Sequence, residues 1–114
     1  MNTSELKVIL DNHKKWLNED DGGIRANLFG AYLTRANLSG ADLSGAYGIM
    51  SFGPIGEERR IGYGVLHTDC VMFKLGCFWG ATDKAVEAIR KKYGDNSTYE
   101  RMVLLAAEIL EAQR

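Results

Sequence analysis

Ala26-Asn27-Leu28-Phe29-Gly30, Ala31-Tyr32-Leu33-Thr34-Arg35, Ala36-Asn37-Leu38-Ser39-Gly40 and Ala41-Asp42-Leu43-Ser44-Gly45 are four consecutive pentads, and Ala46-Tyr47-Gly48 begins a fifth. Alanine recurs at 26, 31, 36, 41 and 46, and leucine at 28, 33, 38 and 43. A period of five fits neither an α-helix nor a flat strand, whose side chains repeat every 3.6 and every 2 residues. Two small or apolar residues in five can both point inward if the chain turns a corner once per pentad. Four such sides close a square coil with Leu28, Leu33, Leu38 and Leu43 stacked at its centre. Ala26, Ala31, Ala36 and Ala41 then let the walls approach. The remaining positions are mostly Asn, Asp, Ser, Thr, Gly and Arg, which suit turns and solvent.

This pattern resembles the pentapeptide-repeat family, whose repeat is Ala-(Asp/Asn)-Leu-x-x. The resemblance implies a right-handed quadrilateral β-helix. The preceding His13-Lys14-Lys15-Trp16-Leu17-Asn18 through Gly22-Gly23 resembles the helix and turn that lead into such repeats. Residues 61–111 are similar to a tail carried by pentapeptide-repeat proteins of phages and prophages. Its hallmark is Gly76-Cys77-Phe78-Trp79-Gly80, then a helix, then Gly94-Asp95-Asn96 and a final helix. Gly53-Pro54-Ile55-Gly56-Glu57-Glu58-Arg59-Arg60 departs from that tail.

Twenty residues make one layer, because stacked coils lie about 4.8 Å apart. A single layer cannot bury its own core, and repeat arrays need several units plus caps. The flanking segments must therefore cover the coil. Upstream, Leu6, Ile9, Leu10, His13, Trp16 and Leu17 share one helical face, with Thr3 or Ser4 as cap and an end near Asn18. Downstream, Tyr47–Phe52, Arg60–His67 and Cys70–Leu75 read as strands. Thr82 caps a helix over 83–93 that Gly94 stops. Ser97-Thr98-Tyr99-Glu100 is a capping box opening a last helix that carries Met102, Leu105, Ile109 and Leu110. The expected fold is α+β: a capping helix plus repeat coil over 1–48, then over 49–114 a meander of two or three antiparallel strands with an αα-hairpin. The two parts pack as one structural unit.

The chain has 114 residues, 46% of them hydrophobic and 25% charged, which is ordinary globular composition. Thirteen glycines against one proline point to tight turns rather than a linker. The net charge of −1 argues against binding duplex DNA through its phosphates and is too small for an acidic DNA mimic. No apolar run reaches the roughly 18 residues of a membrane span, and the N-terminus lacks a signal-peptide layout. The expected location is the cytoplasm (that of the host cell, if phage-encoded), where Cys70 and Cys77 stay reduced.

Several groups invite a chemical reading. His67, Cys70 and Cys77, with His13 more distant, are the grouped soft ligands. Their spacing lacks the paired Cys-x2–4-Cys of structural zinc sites, so no metal is assigned. Cys77 could be an activated thiol. No His-Asn or His-Asp partner forms a nucleophile pattern with it, so the Gly76–Gly80 stretch reads as a strand-to-helix corner. Cys77 is then a small buried residue, and Phe78 and Trp79 plug the coil. Glu57, Glu58, Arg59 and Arg60 form a charge cluster which, with Tyr63, is the candidate partner-binding surface.

A non-catalytic interaction protein without cofactors is the leading expectation. The resemblance of the tail suggests a phage or prophage inhibitor of a host defence or nucleic-acid machine, an anti-CRISPR protein being one example. The partner would be a host protein or a protein–nucleic-acid complex, with no membrane, and a homodimer is allowed. The alternative is a small-ligand binder or nucleotide sponge using Arg59, Arg60, Tyr63, His67 and Trp79. A cysteine-dependent enzyme ranks last. A sizeable pocket beside the Gly76–Gly80 turn would favour a ligand, and a flat exposed apolar patch would favour a protein partner.

Overall fold

The computed structural model describes residues 2–38, 40–55 and 58–114. Helix α1 spans Thr3–Leu17. Its cap is Asn2 rather than Thr3 or Ser4: the Asn2 side chain accepts the Glu5 N–H at 2.8 Å and donates to the Glu5 carboxylate at 3.1 Å. Leu6 and His13 are buried on the inner face, and Ile9 and Leu10 pack beside them.

The repeat follows. The N–H groups of Ala31, Ala36, Ala41 and Ala46 donate to the carbonyls of Leu28, Leu33, Leu38 and Leu43, at 3.0 to 3.1 Å. Each pentad thus closes one β-turn. Gly30, Gly40 and Gly45 precede the alanines with φ of 74°, 73° and 74°, which is the type II turn's demand at its third position. Asn27 and Asp42 serve the same corners from the side, each accepting the N–H two residues on. After four turns the chain returns alongside its start. Asn27 and Tyr47 form a parallel bridge, with Tyr47 N–H donating to Ala26 and Leu28 N–H to Tyr47, both at 2.9 Å. Leu28, Leu33, Leu38 and Leu43 are all buried inside this coil, as are Ala26, Ala31 and Ala46, while Ala36 and Ala41 are half-buried.

Four antiparallel strands come next, β1 (Ile49–Ile55), β2 (Arg60–Leu66), β3 (Val71–Leu75) and β4 (Phe78–Ala81), paired in chain order. Helices α2 (Thr82–Tyr93) and α3 (Thr98–Glu111) complete the chain. The sheet has one strand more than expected. Gly76-Cys77 is a two-residue hairpin turn, with Gly76 at φ 63°, and Phe78–Ala81 pairs back on β3. Thr82 does not cap α2; its hydroxyl donates to the Val71 carbonyl at 3.2 Å.

The sheet lies between two cores. Alternation sends Ile49 and Val65 toward the coil and Phe52, Leu66, Val71 and Phe73 toward α2 and α3. On the coil side the core joins Leu6, the repeat leucines, Ile49 and Val65, with Tyr63 and Trp79 packed against it. On the helix side β2 carries Gly62 and Gly64. A Cβ at Gly64 would lie 2.8 Å from Leu110 Cδ1, so the missing side chain lets α3 sit directly on the strand. The buried face of α3 is Tyr99, Val103, Ala106 and Leu110. Leu105 and Ile109, expected among its apolar contacts, are exposed on the helix flank.

Backbone hydrogen bonds lock coil to sheet. Leu66 N–H donates to Gly48, and Gly30 N–H donates to the Leu66 carbonyl, both at 2.8 Å. On the opposite side His13, wholly buried, joins α1 to the coil. Its Nδ1 accepts the Ala26 N–H at 3.0 Å, so the proton sits on Nε2, which donates to the Ser44 carbonyl at 2.9 Å.

Candidate functional site

One row crosses the coil-facing side of the sheet: Ser51 on β1, Tyr63 on β2, Lys74 on β3 and Trp79 on β4, each directly opposite the next. Neighbours in such a row stand roughly 5 Å apart. Trp79 is drawn under the coil. The other three run along a groove of about 530 Å³ between the sheet and the coil residues Ala36, Asn37, Leu38, Gly40 and Ala41. Arg59, Ile61 and Gly76 close its outer side.

The electrostatics of this groove are one-sided. Its described lining contains two cations, Arg59 and Lys74, and no carboxylate, in a chain of 15 acidic and 14 basic residues. Among the described residues no hydrogen bond or ion pair holds the Arg59 side chain. Its backbone has φ 51°, and that turn brings the residue to the groove just ahead of β2. Lys74 Nζ makes two long contacts, 3.3 Å to the Gly76 carbonyl and 3.5 Å to the Thr34 carbonyl. They hold the ammonium between the β3–β4 turn and the coil without neutralising it. Burial pushes the Tyr63 phenol above its ordinary range, so at neutral pH its hydroxyl stays a donor.

The candidate residues inferred from sequence separate. Arg59 and Tyr63 meet in the groove. Arg60 turns to the other side of the sheet, where it pairs with Glu58 and borders a small pocket with Phe78 and Tyr99. The Glu58 pair raises the Arg60 pKa. Glu57 lies outside the described residues. His67 and Trp79 stand apart from the arginines. His67 Nε2 donates to the Ala31 carbonyl at 2.8 Å, and its ring meets Tyr32 edge-on at 5.0 Å and Trp79 at 5.9 Å. This is an aromatic seam between coil and sheet. Cys77, expected to be buried, is exposed at the tip of the β3–β4 turn, because a hairpin rather than a helix corner forms there. Phe78 faces the helices and only Trp79 faces the coil. Among the described residues no group of three or more His, Cys, Asp or Glu side chains is arranged to hold a metal ion.

Two polar sheet residues of the groove were missed in the sequence: Lys74 and Ser51. Lys74 had a signal. It is the one charged residue in Cys70-Val71-Met72-Phe73-Lys74-Leu75 and shares the alternating face of Met72.

A second groove of about 650 Å³ lies between α1 and the coil. Leu6, Leu10, Leu33 and Tyr32 line it, with the exposed Lys7–Asp11 ion pair on its rim. No helix among the described residues is long and apolar enough to cross a membrane.

No curated protein and no solved structure matches the chain. Residues 24–49 match the family model described as pentapeptide repeats (8 copies), which takes in the four pentads and the bridge residue Tyr47 but none of the sheet beyond Ile49. The wall of the groove is thus a pentapeptide-repeat segment.

Proposed function

We propose that this is a non-catalytic binding protein whose site is the groove between coil and sheet and whose ligand is anionic. The observation that carries it is that Arg59 and Lys74 line one cavity whose described lining has no carboxylate. Two uncompensated cations facing one cavity repel each other, and an anion between them relieves that repulsion. A pocket bordered by Gly76 was the feature that separates a ligand binder from a flat protein-docking surface, and it favours the ligand.

In this proposal the repeat is one coil of a right-handed quadrilateral β-helix and serves as a rigid wall. The regular β-turns and the closing bridge twenty residues apart support that geometry. Residues 1–48 and 49–114 act as one unit, supported by the core that Leu6, the repeat leucines, Ile49 and Val65 share. The free thiols Cys70 and Cys77 support a cytoplasmic site of action.

The test is an amide NMR titration of the full chain at low salt with citrate and, separately, inorganic phosphate. Shifts should concentrate on Gly40, Ser51, Tyr63, Lys74 and Gly76 and should vanish in the double variant Arg59→Gln, Lys74→Gln. Arg101→Gln, on α3 away from the groove, should leave them intact. Absence of groove shifts with both anions refutes the proposal.

Leu104, Leu105 and Ile109, exposed along α3, favour a second role, the docking of a protein partner. That partner would be the host machine suggested by the resemblance of residues 61–111. Capture from a host lysate that survives Arg59→Gln but is lost in Leu105→Lys, Ile109→Lys would place the partner on α3. Capture unaffected by the α3 pair would exclude it.

A further inference from the structure

Resting on the groove proposed above, we infer that its ligand is a small phosphate monoester of about nucleoside-monophosphate size, with the phosphate held between Arg59 and Lys74. The donor geometry is the first reason. Ser51, Tyr63 and Lys74 come from three adjacent strands, and Arg59 comes from the turn that enters β2. These donors are spread along one cross-strand row, with Arg59 at its edge, instead of forming one planar fork. A carboxylate offers two coplanar oxygens, whereas a phosphate monoester offers three terminal oxygens arranged in space. The charge agrees too, since a monoester carries about −1.5 to −2 at neutral pH and faces two cations.

The rest of the cavity gives the second reason. Ala36, Leu38, Ala41, Ile61 and Tyr63 add apolar lining to the same cavity. Inorganic phosphate would leave that lining wet, whereas an organic body with a flat face fills it. A volume of about 530 Å³ lies within the range of small-molecule sites, roughly 300 to 1,000 Å³.

Adenosine monophosphate, adenosine, inorganic phosphate and succinate are the probes, titrated into the full chain at low salt with amide NMR as readout. Adenosine monophosphate should shift Gly40, Ser51, Tyr63, Lys74 and Gly76 saturably. Adenosine should bind at least tenfold more weakly, and inorganic phosphate should compete. Arg59→Gln and Lys74→Gln should each weaken adenosine monophosphate at least tenfold, about 1.4 kcal/mol, with an unchanged melting temperature. Arg101→Gln, on α3, should have no effect. Succinate matching adenosine monophosphate at the same amides would overturn the phosphate assignment and leave the anion groove standing. Adenosine binding as well as its monophosphate would overturn it as well. Silence from every anion would remove both the inference and the groove on which it rests.

Discussion

His13 is where the capping helix and the coil are joined by chemistry that a hydrophobic contact could not replace. Its two ring nitrogens satisfy two backbone groups from opposite ends of the repeat, the Ala26 N–H and the Ser44 carbonyl. Replacing His13 with Leu keeps an apolar body of comparable bulk but removes both partners. The Ala26 N–H lies in a residue only 3% exposed, and an orphaned buried donor costs roughly 1–3 kcal/mol. Ser44 is exposed, so its carbonyl finds water and the loss there is nearer the ordinary net value of about 1 kcal/mol. The ring also stacks on Trp16 at 5.3 Å, a contact Leu keeps only in part. The sum is about 2–4 kcal/mol. Unfolding entropy of ~2.1 cal/mol/K per residue gives ~240 cal/mol/K for 114 residues, so the melting point should fall by about 8–17 °C.

Differential scanning calorimetry of parent, His13→Leu and His13→Asn at pH 7.5 measures this. The Asn side chain keeps an acceptor in the region of Nδ1 and cannot reach as far as Nε2, so its loss should fall between the other two. A Leu variant melting within about 3 °C of the parent would refute the reasoning. It would mean that water satisfies the Ala26 N–H and that α1 covers the coil by packing alone.

Leu33→Ala should cost roughly 2–5 kcal/mol, because Leu33 is 1% exposed at the centre of a single layer, and an unchanged thermal melt would contradict the coil's packing. Glu100 should make stability depend on pH. The Arg90 guanidinium, bound at 2.7 and 3.2 Å, and the Asn96 N–H hold its pKa below the ordinary carboxylate range. A carboxylate depressed on folding adds stability that is complete above its unfolded value near 4.3 and is lost as pH falls through the lower folded value. Denaturant melts from pH 7 to pH 2.5 should therefore lose part of their acid-side slope in Glu100→Gln, and a parallel profile would count against the pair.

The repeat was legible because a period of five has no competing explanation in helix or strand. The fourth strand was not. Phe78-Trp79-Gly80-Ala81 is a short apolar run after a glycine, and its length and composition fit a buried corner as well as an edge strand. The pairing of Trp79 with Lys74 decides the matter, and pairing is a tertiary fact. The inner face of α3 was misassigned for a related reason. Its larger aliphatics, Leu105 and Ile109, lie on the flank, while the close approach to Gly64 selects the Val103, Ala106 and Leu110 side. In the site, Arg59 and Arg60 looked like one cluster, yet Arg59 lies in the turn at φ 51° while Arg60 is the first residue of β2. Arg60 was thereby sent to Glu58 and Arg59 to the groove.

The groove follows from how the coil meets the sheet. A four-stranded sheet spans about 14 Å across its strands, and only part of that face meets the coil. Ile49 and Val65 go into the shared core, whereas Ser51, Ile61 and Lys74 stay along the groove. A taller stack of coils would leave the same overhang, since added layers extend the coil away from the sheet rather than across it. The site therefore depends on the sheet and on the terminal coil wall, and not on the number of repeats. The coil's outer side chains need only be small and polar, because their task is to hold a straight wall at a fixed distance from Tyr63 and Lys74. In the proposed site, specificity then resides in β1, β2, β3 and the Arg59 turn, which lie outside or at the boundary of the matched repeat. Substitutions along the rest of the coil should act through stability, and substitutions in the groove row through binding.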